Sequence, residues 1–130
     1  MIKTTADELW RFDLDTQLRF LRITLRGFWT EAVLDRYEPI LAQQMRANKL
    51  LGGETSILVD TRELQIQSLA VAERQQAQLA ELKPFHATRC ALLVPGALAK
   101  MQASRIGSPV DHKVFSDEDS AMAWLGLKTS

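Results

Sequence analysis

Apolar positions recur along the chain with two periods, and the changes between them mark out strands and helices. Leu9-Trp10-Arg11-Phe12-Asp13 alternates as a short strand does, and Asp13-Leu14-Asp15-Thr16 supplies turn formers. From Leu18 to Arg26 the alternation is clearer. Leu21, Ile23 and Leu25 share one face, while Arg22, Thr24 and Arg26 share the other with Phe20. Together these runs predict an antiparallel hairpin with one solvated face, closed by Gly27.

The period then lengthens. Thr30 is placed as an N-cap, with Trp29 and Leu34 stapled around it. Val33, Leu34, Tyr37, Ile40, Leu41 and Met45 form the apolar stripe of a long helix. Pro39 falls inside it at a cost of about 3 kcal/mol, which predicts a kink or restart near Glu38. After Gly52-Gly53, the continuous run Ser56–Asp60 reads as a buried central strand, and Thr61–Gln67 as a polar loop. Ser68 caps a helix from Leu69 to about Leu82, whose stripe of Leu69, Ala72, Leu79 and Leu82 is thin. A second buried strand spans Thr88–Val94 and stops at Pro95-Gly96. Ala97–Ile106 is a short helix with Leu98, Met101 and Ile106 inward. His112–Phe115 adds the last strand, and Ser116–Asp119 a capping box. The final helix buries Ala121, Met122, Trp124 and Leu125, and Gly126 closes it.

The order ββαβαβαβα predicts the α/β class: a single domain over 1–130, core about 9–126, with a mixed, mostly parallel sheet of four to five strands and about four helices. A chain of 130 residues with 46% hydrophobic and 25% charged residues suits such a domain. Sixteen basic residues balance sixteen acidic ones, so the broad positive field that nucleic-acid binding needs is missing. No stretch approaches the roughly 18 apolar residues of a membrane span. Met1–Glu8 has no apolar centre to suggest a signal peptide, and Cys90 is the one cysteine, so the expected compartment is the cytoplasm.

Chemistry is sparse in the pattern. His86 and His112 are far apart in sequence, neither lies near a cysteine, and both read as surface imidazoles. No metal or cofactor is expected. Pro95-Gly96-Ala97 lacks a phosphate-binding signature, and Cys90 lies in an apolar run where a thiol is buried and inert. Asp60 closes a central strand with Arg62 two residues on, and Arg105 is a third candidate for the same rim at the carboxyl end of the sheet. The simpler reading has Asp60 capping its loop and pairing with an arginine. Arg22 and Arg26 read as exposed arginines of an edge strand, and Trp10, Trp29 and Trp124 as core anchors.

The layout resembles the SpoIIAA-like proteins of the STAS superfamily, the fold of bacterial anti-anti-sigma factors. The resemblance rests on Phe20–Gly27 before the first helix, Ile57–Asp60 before the second, Ala91–Val94 before the third, and Val114–Leu125 with its acidic-Ala-x-x-Trp-Leu ending. It implies helices packed mostly on one side of the sheet and work done by binding, without catalysis. In anti-anti-sigma factors a serine at the start of the second helix, in an Asp-Ser-Ser-Gly-like motif, is phosphorylated to switch partners. Here Ser68 holds that place without the preceding Asp or the following Gly, which leaves it as an N-cap.

Two functions follow as expectations. One is a non-enzymatic module that docks a protein partner or a second copy of itself, using the Ala- and Gln-rich helix. The alternative is a binder of a small amphipathic or lipid-like molecule, as in the related Sec14-type folds, with a cavity lined by Trp29, Tyr37, Ile40 and Met101. An enzyme would require Asp60, Arg62 and a histidine to converge, and no spacing forces that.

Overall fold

The expected hairpin is present as β2 (Trp10–Asp15) and β3 (Phe20–Gly27), paired antiparallel from Trp10 opposite Leu25 to Asp15 opposite Phe20. Its inward residues Trp10, Phe12, Leu14, Leu21, Ile23 and Leu25 are all buried. The Asp15 carboxylate accepts the amides of Gln17 and Leu18 at 3.0 Å each and so folds the turn, leaving Leu18 exposed there. Gly27 ends β3 with φ of +78°, and a Cβ there would lie 2.7 Å from Leu9 Cδ2. The positive φ favours glycine at that position, and a larger residue would also have to displace the end of the Leu9 side chain.

The computed structural model describes residues 1–65, 68–98, 100–101 and 112–127. It adds a strand that the pattern did not announce, β1 (Ile2–Ala6), antiparallel to β2. Every residue of β1 is exposed, so no apolar alternation marks it. Main-chain pairing holds it, with the Thr4 hydroxyl donating to Asp13 Oδ1 at 2.7 Å.

Helix α1 (Glu31–Leu50) starts at Thr30, whose hydroxyl accepts the Val33 amide. It runs unbroken through Pro39, so no restart occurs at Glu38. Pro39 and Asp35, whose carbonyl loses its helical donor, both sit on the exposed side, where that carbonyl is open to solvent. Strand β4 (Ser56–Leu64) carries on through Thr61–Leu64, which the sequence assigned to a loop. Pairing of Arg26 with Glu63 and Gly27 with Leu64, after a bulge at Thr24–Arg26, extends it. Helix α2 (Leu69–Glu81) begins at Ser68 and is followed by a single 3-10 turn, Lys83–Phe85. Strands β5 (Arg89–Leu93) and β6 (Lys113–Phe115) complete a six-stranded sheet in the order β1-β2-β3-β4-β5-β6, parallel from β3 onward. Six strands replace the expected four to five.

Helix α3 (Glu118–Trp124) caps on Asp117, whose carboxylate accepts the Ser120 amide at 2.9 Å. The cap therefore sits one residue past the expected Ser116. The helix ends in a Schellman turn: Leu127 N–H donates to the Met122 carbonyl and Gly126 N–H to that of Ala123. Three helices are described. Positions 97–98 and 100–101 are helical, with Lys100 N–H donating to the Gly96 carbonyl at 2.9 Å, and the rest of the helix expected over 97–106 lies outside the described residues. Leu98 and Met101, expected inward, are exposed.

Each face of the sheet carries its own core. On one, β2, β3 and Ile57 pack against α1, where Trp10, Trp29 and Tyr37 meet edge to face at centroid distances of 4.6 to 5.9 Å. On the other, Phe20, Leu58, Ala91, Leu93 and Phe115 pack against Ala121 and Leu125 of α3. That second face is the one expected to be solvated, and β3 is an interior strand, not an edge. Trp124 is half-buried there beneath Arg89 and Lys113, so two of the three tryptophans are core anchors.

Candidate functional site

The short side chains of α2 decide how that helix sits. Val71 and Gln78 are its buried residues, while Leu69, expected inward, is 74% exposed. Polar contacts to α1 hold it in place. Arg74 pairs with Asp35 at 2.6 Å and with Glu38, and the Gln78 amide donates to the Glu38 carbonyl at 2.9 Å. Little of α2 is left to fill the space above β4 and β5.

A cavity of about 260 Å³ lies there. Ile57, Val59, Cys90 and Leu92 of the sheet form its floor, with Tyr37 and Leu41 of α1 on one side and Ala72, Gln75 and Leu79 of α2 above. Tyr37 is the one expected lining residue found there; Trp29, Ile40 and Met101 are not among the lining residues. Burial pushes the Cys90 thiol up to about 12, so it stays protonated, and raises the Tyr37 hydroxyl as well. The Thr61 hydroxyl at the rim is committed to the Leu93 carbonyl at 2.8 Å.

His86 and His112 both line this cavity, which corrects their reading as separate surface imidazoles. Neither ring nitrogen of His86 reaches solvent or a hydrogen-bond partner. Burial holds its pKa below the ordinary histidine value; the backbone of Leu79 partly offsets this, and the charge of His112 adds to it. A signal for the pair was available. Each histidine lies shortly before one of two adjacent parallel strands, and neighbouring parallel strands begin at the same end of a sheet.

The carboxylate–arginine candidates lie on the opposite face. Asp60 is buried within β4 and accepts Arg22 Nη2 at 3.0 Å, Arg62 Nη2 at 2.9 Å and the Arg62 backbone amide at 3.1 Å. Glu118 of α3 accepts from both arginines, so Arg22 is drawn into this network and is not a free exposed arginine. Burial pushes the Asp60 carboxyl up, but the hydrogen bonds and charge of Arg62, with the charge of Arg22, outweigh it and hold the group below its usual range. This cluster ties α3 to the sheet. Its charges are mutually satisfied and no histidine joins it among the described residues. Ser68 is exposed and caps α2, its hydroxyl accepting the Val71 amide at 3.3 Å. Arg105 lies outside the described residues. Among the described residues no three His, Cys, Asp or Glu side chains converge to hold a metal, and no helix is long and apolar enough to cross a membrane.

Sheet order, crossover helices and the separate terminal helix define an α/β protein of the type that the sequence resembled. The SpoIIAA-like family model matches residues 20–126, and the chain belongs to that family. Its fold is similar to the crystal structure of an uncharacterised DUF3478-family protein with a SpoIIAA-like fold from Shewanella loihica. That match has 21% sequence identity and a TM-score of 0.60, covering 96% of this chain and 92% of the other. No curated protein matches the sequence.

Proposed function

We propose that this protein works by binding, holding a small amphipathic molecule in the cavity between α2 and the sheet. The cavity carries the reading: its floor is apolar, and its polar atoms come from Tyr37, Thr61, three glutamines of α2 and two histidines. Apolar walls with few polar groups are how small-molecule sites are built. At about 260 Å³ the space falls just below the roughly 300–1,000 Å³ of drug-sized pockets, which favours one short chain over a two-chain lipid. Native mass spectrometry of freshly purified protein, with thermal shifts against fatty acids and phospholipids, tests it. A retained mass, or a rise in Tm with single-chain amphiphiles, is expected. A clean apo mass with no shift for any of them defeats the proposal.

A second reading, docking of a protein partner or of another copy, draws on one observation. Phe28, Leu69, Leu98 and Met101 are each more than half exposed and follow the carboxyl ends of β3, β4 and β5, which share one end of the parallel sheet. Apolar side chains grouped this way suit an interface. In this reading Ser68 stands at the rim of the docking surface and serves as the α2 cap. Light scattering across a concentration series, on wild type and Leu69→Ser, separates the two readings. Association lost in the variant supports docking, and a monomer at every concentration removes self-association.

A further inference from the structure

The cavity has an apolar floor, and two imidazoles stand among its polar lining groups beside Tyr37, Thr61 and three glutamines of α2. A neutral imidazole presents one N–H donor and one acceptor nitrogen, and a charged ring presents two donors. His86 has both nitrogens shut away from solvent and without a hydrogen bond of ordinary geometry, although the Leu79 backbone acts on the ring, and buried polar groups rarely stay so unless something else supplies the bond. His112 lines the same cavity. Among the described lining residues there is no Asp, Glu, Lys or Arg, and burial disfavours the charged form of His86, so that ring offers one N–H donor and one acceptor nitrogen. The Gln78 amide and the Thr61 hydroxyl already donate elsewhere.

Resting on the cavity-binding reading above, we infer that the ligand is a single-chain monocarboxylate whose head accepts hydrogen bonds from His86 and His112 while its tail runs over Ile57, Val59 and Leu92. A carboxylate offers two oxygens to two imidazoles and, in the protonated state, can also donate to an unprotonated ring nitrogen. A phosphate head carries more charge and more acceptor sites than two rings can satisfy. The tail meets carbon on the floor, and Cys90 stays a protonated thiol that offers it no charge.

The experiment compares decanoate with decanol, which share a tail and differ in the head, by calorimetric titration of the full chain and of the His86→Gln/His112→Gln variant. Decanoate is expected to bind wild type about tenfold more tightly than decanol, as a charge-assisted hydrogen bond predicts. In the variant the preference should fall to about parity, because the carboxylate loses more with the two rings than the hydroxyl does. Equal binding of the two by wild type overturns the inference and leaves the cavity reading standing. A preference for decanoate that survives in the variant also overturns it, because the head would then be held elsewhere. Binding of neither compound defeats both. The wild-type comparison stands even if the variant does not fold.

Discussion

Helices α1 and α2 cover the same face of one sheet, yet they are held by different forces. Along α1 the buried residues Leu34, Tyr37, Leu41 and Met45 come at spacings of three and four, so one unbroken side meets the sheet. On α2 the buried residues Val71 and Gln78 stand seven apart, and between them the cavity side offers Ala72 and Gln75. The first helix is fixed by apolar area and ring packing. The second is hung from the first through Arg74 and Gln78. A helix bound sideways to its neighbour has no need to fill the space beneath it, and the cavity is what remains.

The widest break in that comparison comes from applying one substitution to both helices. Leu34 has no exposed surface, and Leu34→Ala should cost about 2–5 kcal/mol because a dense core relaxes poorly around a deleted side chain. Leu79 is half-buried and already faces the cavity, so Leu79→Ala removes less contact and should cost about 1 kcal/mol. Urea denaturation of the two variants measures the gap. Equal costs would mean that α2 packs as tightly as α1.

Helix α3 sharpens the contrast from the other face, since it has both an apolar contact and a charge cluster. Asp60→Asn keeps the shape but removes the charge that Arg22 and Arg62 share, and should cost about 1–3 kcal/mol at neutral pH, discounted for the partial solvation of both arginines. The sign with pH follows from the lowered carboxyl. Its contribution is complete above the ordinary carboxylate value, near pH 4, and is lost as pH falls through the lower folded value. Denaturation midpoints of wild type should therefore decline below about pH 4, and those of the variant should decline less. Parallel acid limbs would show that Asp60 is not the group responsible.

Much of this layout was legible before any coordinates. The stripe of α1, the alternation of β3, the caps at Thr30 and Ser68 and the thin face of α2 are all in the pattern, because buried side chains leave a period. Elements held by the main chain leave none. That is why β1, with five exposed residues, and the continuation of β4 through Leu64 went unread. The pairing of Asp60 with an arginine was foreseen, but Arg22 as a second partner and Glu118 as the link to α3 depend on strand order and on the face that α3 takes. The cavity was anticipated between sheet and helices, yet three of its four expected lining residues do not line it. Trp29 fills the α1 core instead, because its indole N–H is satisfied by the Arg26 carbonyl at 2.9 Å. The histidine pair stayed hidden because linear separation says little about residues that enter adjacent parallel strands.

The smallest effect on stability gives the finest separation of the proposals. Ala72 and Ala77 both lie on α2 and both are exposed, but Ala72 lines the cavity and Ala77 does not. Ala77→Arg should change stability by no more than about 0.5 kcal/mol, as surface substitutions do, and leave decanoate titration as in wild type. Ala72→Arg places a long side chain over the cavity and should weaken that titration, with a similarly small effect on the urea midpoint. If the two variants lose decanoate equally, the molecule is held on the outer surface of α2. If neither loses it, the site does not include this helix, and the looseness of α2 serves some purpose other than making room for a ligand.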